Sequence, residues 1–173
     1  MSMTDSAGEP ANGLSPDAVV ERSEDLTATT RHPLLRRLFE YWSGKAAGRM
    51  APTRADIDPV DFSYAIGWTT LVDVLEGGGE FQARVFGGGM AMMAGQELTG
   101  RTSAAMQDPE LRRAIVANLR WVVANRKPLR IYREQTTAQR RYRYETVILP
   151  LSSDGQTVDQ LLMAATPPLS EAV

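Results

Sequence analysis

The chain has 173 residues, of which 43% are apolar, which is enough for one folded domain with a hydrophobic core. It has no cysteine and one histidine, His32. Disulfides, thiolate nucleophiles, cysteine-ligated metals and any site that needs two imidazoles are therefore excluded. The formal net charge of −2 hides an asymmetry, because residues 1–30 carry one base and six acids while residues 31–173 carry 18 bases and 15 acids.

The acidic first segment, residues 1–30, has few large apolar residues and no apolar core of a secretory signal. Such a segment cannot bury enough surface to offset its ordering entropy, so we expect a disordered acidic leader there. No stretch of the chain approaches the roughly 20 apolar residues of a membrane helix. We therefore expect a cytoplasmic protein with no membrane partner.

A leading helix is predicted within residues 31–50, because apolar side chains recur at helical spacing over 31–47 and Gly48 ends the pattern. These side chains form one stripe: Leu34, Leu35, Leu38, Phe39 and Trp42. The stripe can cover the sheet of its own chain or bury against a second copy. We expect the second arrangement, a homodimer, because large exposed apolar patches mark interfaces.

The polar loop after this helix carries charges that fit structural roles. Asp58 is placed as the N-cap of a short helix that begins at Pro59, and Asp61 suits the dipole of its first turn. Arg54 can bridge to Asp56 or bind a backbone carbonyl. We therefore assign Arg54, Asp56 and Asp58 to the structure of the loop and not to a catalytic carboxylate pair.

The rest of the chain alternates between strand and helix patterns separated by turn residues. The expected elements are strands over 68–75 and 80–86, a helical turn over 90–94, a helix over 109–124, and strands over 129–137, 142–151 and 157–166. The glycine triplets 77–79 and 87–89 match no phosphate-binding motif and are interpreted as flexible turns. Strands grouped apart from helices indicate an α+β domain with an antiparallel sheet.

Four stretches, in order along the chain, resemble the PAS-domain family, in its stand-alone single-domain type abundant in alphaproteobacteria. They are Tyr41-Trp42, residues 54–59, residues 81–87 and the run Gly95-x-x-Leu98-Thr99-Gly100-Arg101. The resemblance covers residues 33–166. It implies a PAS-like five-stranded antiparallel sheet with helices on one face and an N-terminal leading helix. The PAS-like domain would span residues 51–168, with a C-terminal tail over 169–173.

The same resemblance implies a non-catalytic sensory or regulatory role in bacterial signalling, exerted through contacts with an unidentified signalling protein. It also places a pocket between the sheet and the helices. The candidate lining residues are Phe81, Val85, Met90, Met93, Leu98, Met106, Ile115, Leu119, Tyr142 and Tyr144. A small-ligand sensor that binds a nucleotide, a flavin or a carboxylic acid in this pocket remains the alternative.

Two PAS cofactors are disfavoured by the residues present. Haem held by histidine would need that residue on or beside the long helix, but residues 102–125 contain none and His32 lies upstream. A light-driven flavin adduct needs a cysteine, and the chain has none. We expect no cofactor and no metal site.

A basic stretch over residues 109–145 carries ten bases and three acids, which could attract nucleic acid or an acidic protein surface. Within it, Tyr142 and Tyr144 share one strand face while Arg141 and Arg143 share the other. Stacking rings and phosphate-binding guanidinium groups therefore do not combine on one face. We expect Arg141 and Arg143 on a solvated outer face as a candidate partner surface, and a nucleic-acid-binding module stays the weaker alternative.

Overall fold

The computed structural model describes residues 19–21, 26, 28–136 and 140–172; at 19–21, 134–136, 140–142 and 170–172 it describes the backbone alone. In chain order the elements are β1 (Val19–Glu21), α1 (Pro33–Ala46), 3-10 helices over Arg54–Asp56 and Pro59–Trp68, β2 (Thr69–Leu75), a 3-10 turn (Glu76–Gly78), β3 (Glu80–Phe86), α2 (Gly88–Ala94), a 3-10 turn (Ser103–Ala105), α3 (Pro109–Asn125), β4 (Leu129–Thr136), β5 (Arg140–Leu151), β6 (Gln160–Ala165) and β7 (Leu169–Ala172).

The strands form one antiparallel sheet in the order β1-β4-β5-β6-β2-β3, with β7 also paired to β5. Strands β2 to β6 are the predicted five-stranded antiparallel sheet, which is confirmed. Strand β5 is longer than its neighbours. Along one of its edges it pairs with β6 through residues 146–151 and with β7 through residues 140–143, while β4 lies along the other.

The structure differs from the sequence-based expectation at both ends of the chain. Val19–Glu21, within the expected disordered leader, pairs with β4, and Leu26 is fully buried; residues 1–18, 22–25 and 27 lie outside the described part. Leu169–Ala172, the expected tail, forms β7. Both segments pair with edges of β4 and β5 whose backbone groups need hydrogen-bond partners, a requirement that local composition does not reveal.

Helices cover both faces of the sheet. Val147, Leu149 and Leu151 of β5 pack with α1, whereas Ile148 packs with the α3 residues in a second core. The expectation of helices on one face therefore holds for α2 and α3, and α1 with the helix Pro59–Trp68 covers the opposite face. Alternate residues of β5 feed two separate cores because successive side chains point to opposite sides of a strand.

The predicted dimer stripe on α1 is wrong, because this stripe packs inside its own chain. Leu35, Leu38, Phe39 and Trp42 are buried against β5 and β6, and Leu34 is half-buried beside them. The Trp42 indole N–H also donates to the Pro150 carbonyl over 2.8 Å. The apolar α1-side face of β5 and β6 thus takes the surface that a second copy would have needed.

A buried ion pair fixes the approach to α1. The Arg130 Nε donates to Glu145 over 3.0 Å, and their side chains are only 4% and 6% exposed. The same carboxylate accepts the Arg31 backbone N–H at 3.1 Å. One residue later, His32 caps α1 through its Nδ1, which accepts the Leu34 N–H, so the single histidine serves the helix start.

The intramolecular role of the stripe is testable by paired truncations on α1. Leu38→Ala removes a fully buried side chain and should lower the free energy of unfolding by about 2–5 kcal/mol. Leu34→Ala, on the same helix but half-buried, should cost less than half as much. Urea denaturation measures both; equal small losses, together with a lower mass by light scattering, would show that the stripe faces a second copy.

Candidate functional site

A cavity of about 140 Å³ lies between the sheet and the helices α2 and α3. Its wall is almost entirely apolar and draws on every strand from β2 to β6. Eight of the ten candidate pocket residues line it: Phe81, Met90, Met93, Leu98, Met106, Ile115, Leu119 and Tyr144. The structure thus brings together side chains that are up to 63 positions apart in the chain.

The remaining two candidates are not part of this wall. Val85 is 47% exposed on the opposite side of the sheet, and Phe86 lines the cavity in its place. The cause is a bulge, because the β2–β3 register shifts between Leu71 and Val72 and inserts one extra residue into β3. Simple alternation from Phe81 therefore selects the wrong side chain. The side chain of Tyr142 lies outside the described residues.

Helix α3 presents a regular stripe to the cavity. Asp108 caps it, its Oδ1 accepting the N–H groups of Glu110 and Leu111 at 3.0 and 3.1 Å, and Pro109 occupies the first helical position. Leu111, Ile115 and Leu119 then follow at four-residue intervals, which places them on one face above the sheet.

The glycines that open α2 serve close packing. None of residues 87–89 has a positive φ, so the turn predicted for this triplet is wrong, although Gly77 and Gly78 do have the positive φ expected of the first triplet. A Cβ on Gly87 would collide with the Gly67 carbonyl, and one on Gly89 would lie 2.5 Å from the Trp68 ring. Their absence lets α2 lie close to the preceding 3-10 helix.

The few polar groups on the wall are unusual for their charge. Arg133 is only 5% exposed and Arg101 is exposed, while no described Asp or Glu lines the cavity. The Thr70 hydroxyl is buried without a hydrogen-bond partner among the described residues. Burial raises the pKa of Tyr144, and the nearby charge of Arg133 partly lowers it. The cavity is therefore an apolar chamber with a positively charged wall.

A family model described as a PAS domain matches residues 30–165 of this chain. The chain belongs to the PAS-domain family. PAS domains are in general sensory and signalling modules without catalytic activity, and the fold and the cavity between sheet and helices agree with this membership.

Two further comparisons add little to the family assignment. A solved structure described as an RNA-binding light-oxygen-voltage receptor is similar to this PAS domain, with 15% identity and a TM-score of 0.45. The match covers 89% of this chain and 39% of that chain, so the PAS domain spans well under half of that protein. Comparison with curated proteins gave no match.

The charged loop of the PAS domain is a set of caps. The Thr53 N–H donates to Asp56 over 2.9 Å while the Thr53 hydroxyl accepts the Asp56 N–H, and the carboxylate also binds Arg49. These hydrogen bonds lower the pKa of Asp56 to about 2. Arg54 donates to the Ile57 carbonyl over 2.8 Å, and Asp58 accepts the N–H of the second residue of the next helix.

The basic stretch does not form one exposed strip. Arg120 donates to the carbonyls of residues 78 and 79, Arg130 pairs with Glu145, and Arg133 lines the cavity. Arg143 is half-buried and makes interactions within the chain, so it is not the solvated side chain that we expected. The side chain of Arg141 lies outside the described residues.

Two other features were sought in the described part of the PAS domain. None of its helices is long and apolar enough to cross a membrane. In the same ranges, no group of three or more His, Cys, Asp or Glu residues is arranged to hold a metal ion.

Neighbouring glycines test how α2 is held over the cavity. Gly89→Ala should lower the free energy of unfolding by about 1–3 kcal/mol, since its methyl group meets the Trp68 ring. Gly88→Ala meets no atom within 4 Å and replaces a helical glycine, so it should raise stability by up to about 1 kcal/mol. Urea denaturation compares them; equal effects would contradict the close-approach explanation.

Proposed function

We propose that this PAS domain is a non-catalytic sensor whose input is a small molecule with an apolar body bound between the sheet and α2–α3. The observation that carries the proposal is the apolar cavity with one buried, unpartnered hydroxyl on its wall, that of Thr70. A buried polar group without a partner is costly, and a bound molecule can satisfy it. The described lining residues include no histidine, aspartate or glutamate, which favours binding over acid–base catalysis.

The volume narrows the class of molecule. About 140 Å³ is close to the roughly 150 Å³ of an engineered apolar cavity that takes up benzene, and below the roughly 300 Å³ where drug-sized pockets begin. A single ring or a short chain therefore suits this cavity better than a nucleotide or a flavin. The proposal involves no haem, and His32 is a helix cap away from the cavity.

Helix α2 offers a route from input to output. Met90 and Met93 line the cavity, whereas Met92, on the same short helix, is 75% exposed. A ligand that displaces the inner methionines would also move the outer surface of α2. We propose that this surface change alters a contact with another signalling protein, as the family role supports.

An apolar cleft at the β3 edge supports a second contact, a homodimer. Ile66 and Val85 are both substantially exposed and share this cleft with Pro59 and the more buried Phe62 and Leu162. Because the α1 stripe is occupied within the chain, this cleft replaces it as the proposed site for a second copy. Exposed apolar side chains that cluster in this way are typical of interfaces.

The ligand proposal is tested with benzene as the probe and two neighbouring tryptophan variants. Met93→Trp places an indole in the cavity and should abolish saturable NMR shifts of α2 and β3 amides on benzene addition. Met92→Trp, its exposed neighbour, should leave them unchanged. Binding that survives in Met93→Trp, or no binding to the unmodified protein, would refute the proposed input.

The homodimer proposal is tested by placing a charge in the cleft. Val85→Glu should convert a dimer to a monomer in light scattering, because an ionised carboxylate cannot be buried there without a partner. Met92→Glu adds the same charge on α2 and should leave the dimer mass intact. A monomeric unmodified protein, or a Val85→Glu variant that remains a dimer, would contradict this interface.

A further inference from the structure

We infer that the molecule sensed in the cavity is an elongated monocarboxylate of about six carbons, with its carboxylate at the Arg133 end and a second polar group near Thr70. This inference rests on the proposed ligand-sensing function and specifies the chemistry of the ligand. It starts from the sign of the charge on the cavity wall.

The wall is positively charged at two places. Arg133 lies on β4 and is 5% exposed, and Arg101 lines the cavity from an exposed loop position. The described lining residues contain no carboxylate. Arg133 has interactions of its own within the chain, so the argument concerns the net sign of the wall. A guanidinium keeps its charge at all ordinary pH values, so the wall favours an anion over a neutral or cationic ligand.

A carboxylate fits this wall better than a larger anion. The planar guanidinium fork matches the two oxygens of a carboxylate. Beside Arg133 in the β4–β5 ladder is Tyr144, whose buried hydroxyl makes no hydrogen bond to any described residue. Thr146, also on the cavity wall, lies opposite Ile131 in the same ladder. The Arg133 end therefore combines one charge with donor hydroxyls.

The Thr70 hydroxyl marks the far end of the ligand. Thr70 is 3% exposed, lines the cavity, and has no partner among the described residues. It lies on β2, three strands away from β4 in the sheet order, which is roughly 14 Å across the strands. One carboxylate cannot contact both Thr70 and Arg133. The ligand therefore extends across the sheet, with apolar atoms against the methionines and leucines between its two polar ends.

Hexanoate and hexanamide test the charge at one end of the ligand. They differ in charge but hardly in shape, so calorimetric titration of both isolates the effect of the wall. Hexanoate should bind the unmodified protein at least about tenfold more tightly, since a hydrogen bond to a charged group is worth that much. Arg133→Met, which keeps the length of the side chain and removes its charge, should reduce this preference to about one.

Controls separate charge from folding. Arg113→Met removes the same charge from an exposed α3 position and should retain the tenfold preference. Hexanamide binding by Arg133→Met reports an intact cavity. If Arg133→Met does not fold, Arg133→Lys keeps a charge but not the fork, and should bind hexanoate more weakly while still preferring it to hexanamide.

The Thr70 end is tested with 6-hydroxyhexanoate, which adds one distal hydroxyl to hexanoate. It should bind the unmodified protein severalfold more tightly than hexanoate does, and Thr70→Val should remove that gain while leaving hexanoate binding unchanged. Without such a gain in the unmodified protein, the assigned second polar end is wrong.

The outcomes also separate this inference from the proposed function. Hexanamide that binds as tightly as hexanoate, in a protein that still takes up benzene, overturns the carboxylate and leaves the apolar sensor. A preference for hexanoate that persists in Arg133→Met overturns the role of that residue. A protein that binds neither benzene nor hexanoate overturns both proposals.

Discussion

Strand β5 is buried on both faces, and the rest of the domain is arranged around that constraint. Its odd-numbered residues, including Val147 and Leu149, face α1, while Tyr144 and Ile148 face the cavity side. A slip of one residue would exchange the two sets and place Glu145 among cavity side chains. Because β4, β6 and β7 all pair with β5, its register fixes theirs, and with theirs the shape of both cores.

The position of α1 limits where a signal can leave the domain. Helix α1 covers the sheet face opposite the cavity, and the buried Arg130–Glu145 pair ties the backbone at Arg31 to that face. Moving α1 would expose Leu38 and leave a charge without its partner, which is costly in an apolar environment. Helix α2 is held differently, by two close glycine contacts and its inner methionines. The cavity side is therefore the side that can respond to an occupant at low cost.

Much of the architecture could be predicted because it follows from local pattern. The cap at Asp108 and the four-residue spacing of Leu111, Ile115 and Leu119 are sufficient to predict α3 and its inward face. Phe86 could not be found in this way, since the bulge that turns it inward is a property of the β2–β3 pairing. The edge strands were missed for a related reason: they form because β4 and β5 offer unpaired edges, and neither Val19–Glu21 nor Leu169–Ala172 carries a strong strand signal of its own.

The charge of the cavity wall was also beyond the sequence, because a run of arginines is typical of a solvated surface. Arg130 and Arg133 stand three residues apart on β4, so they point to opposite faces of the sheet, and both faces are covered. On the α1 face the chain itself provides a carboxylate, Glu145. On the other face the described wall provides hydroxyls and apolar groups but no acid. A buried guanidinium is favoured when an anion comes within reach, and on the cavity side the open volume beside Arg133 is where such an anion can bind.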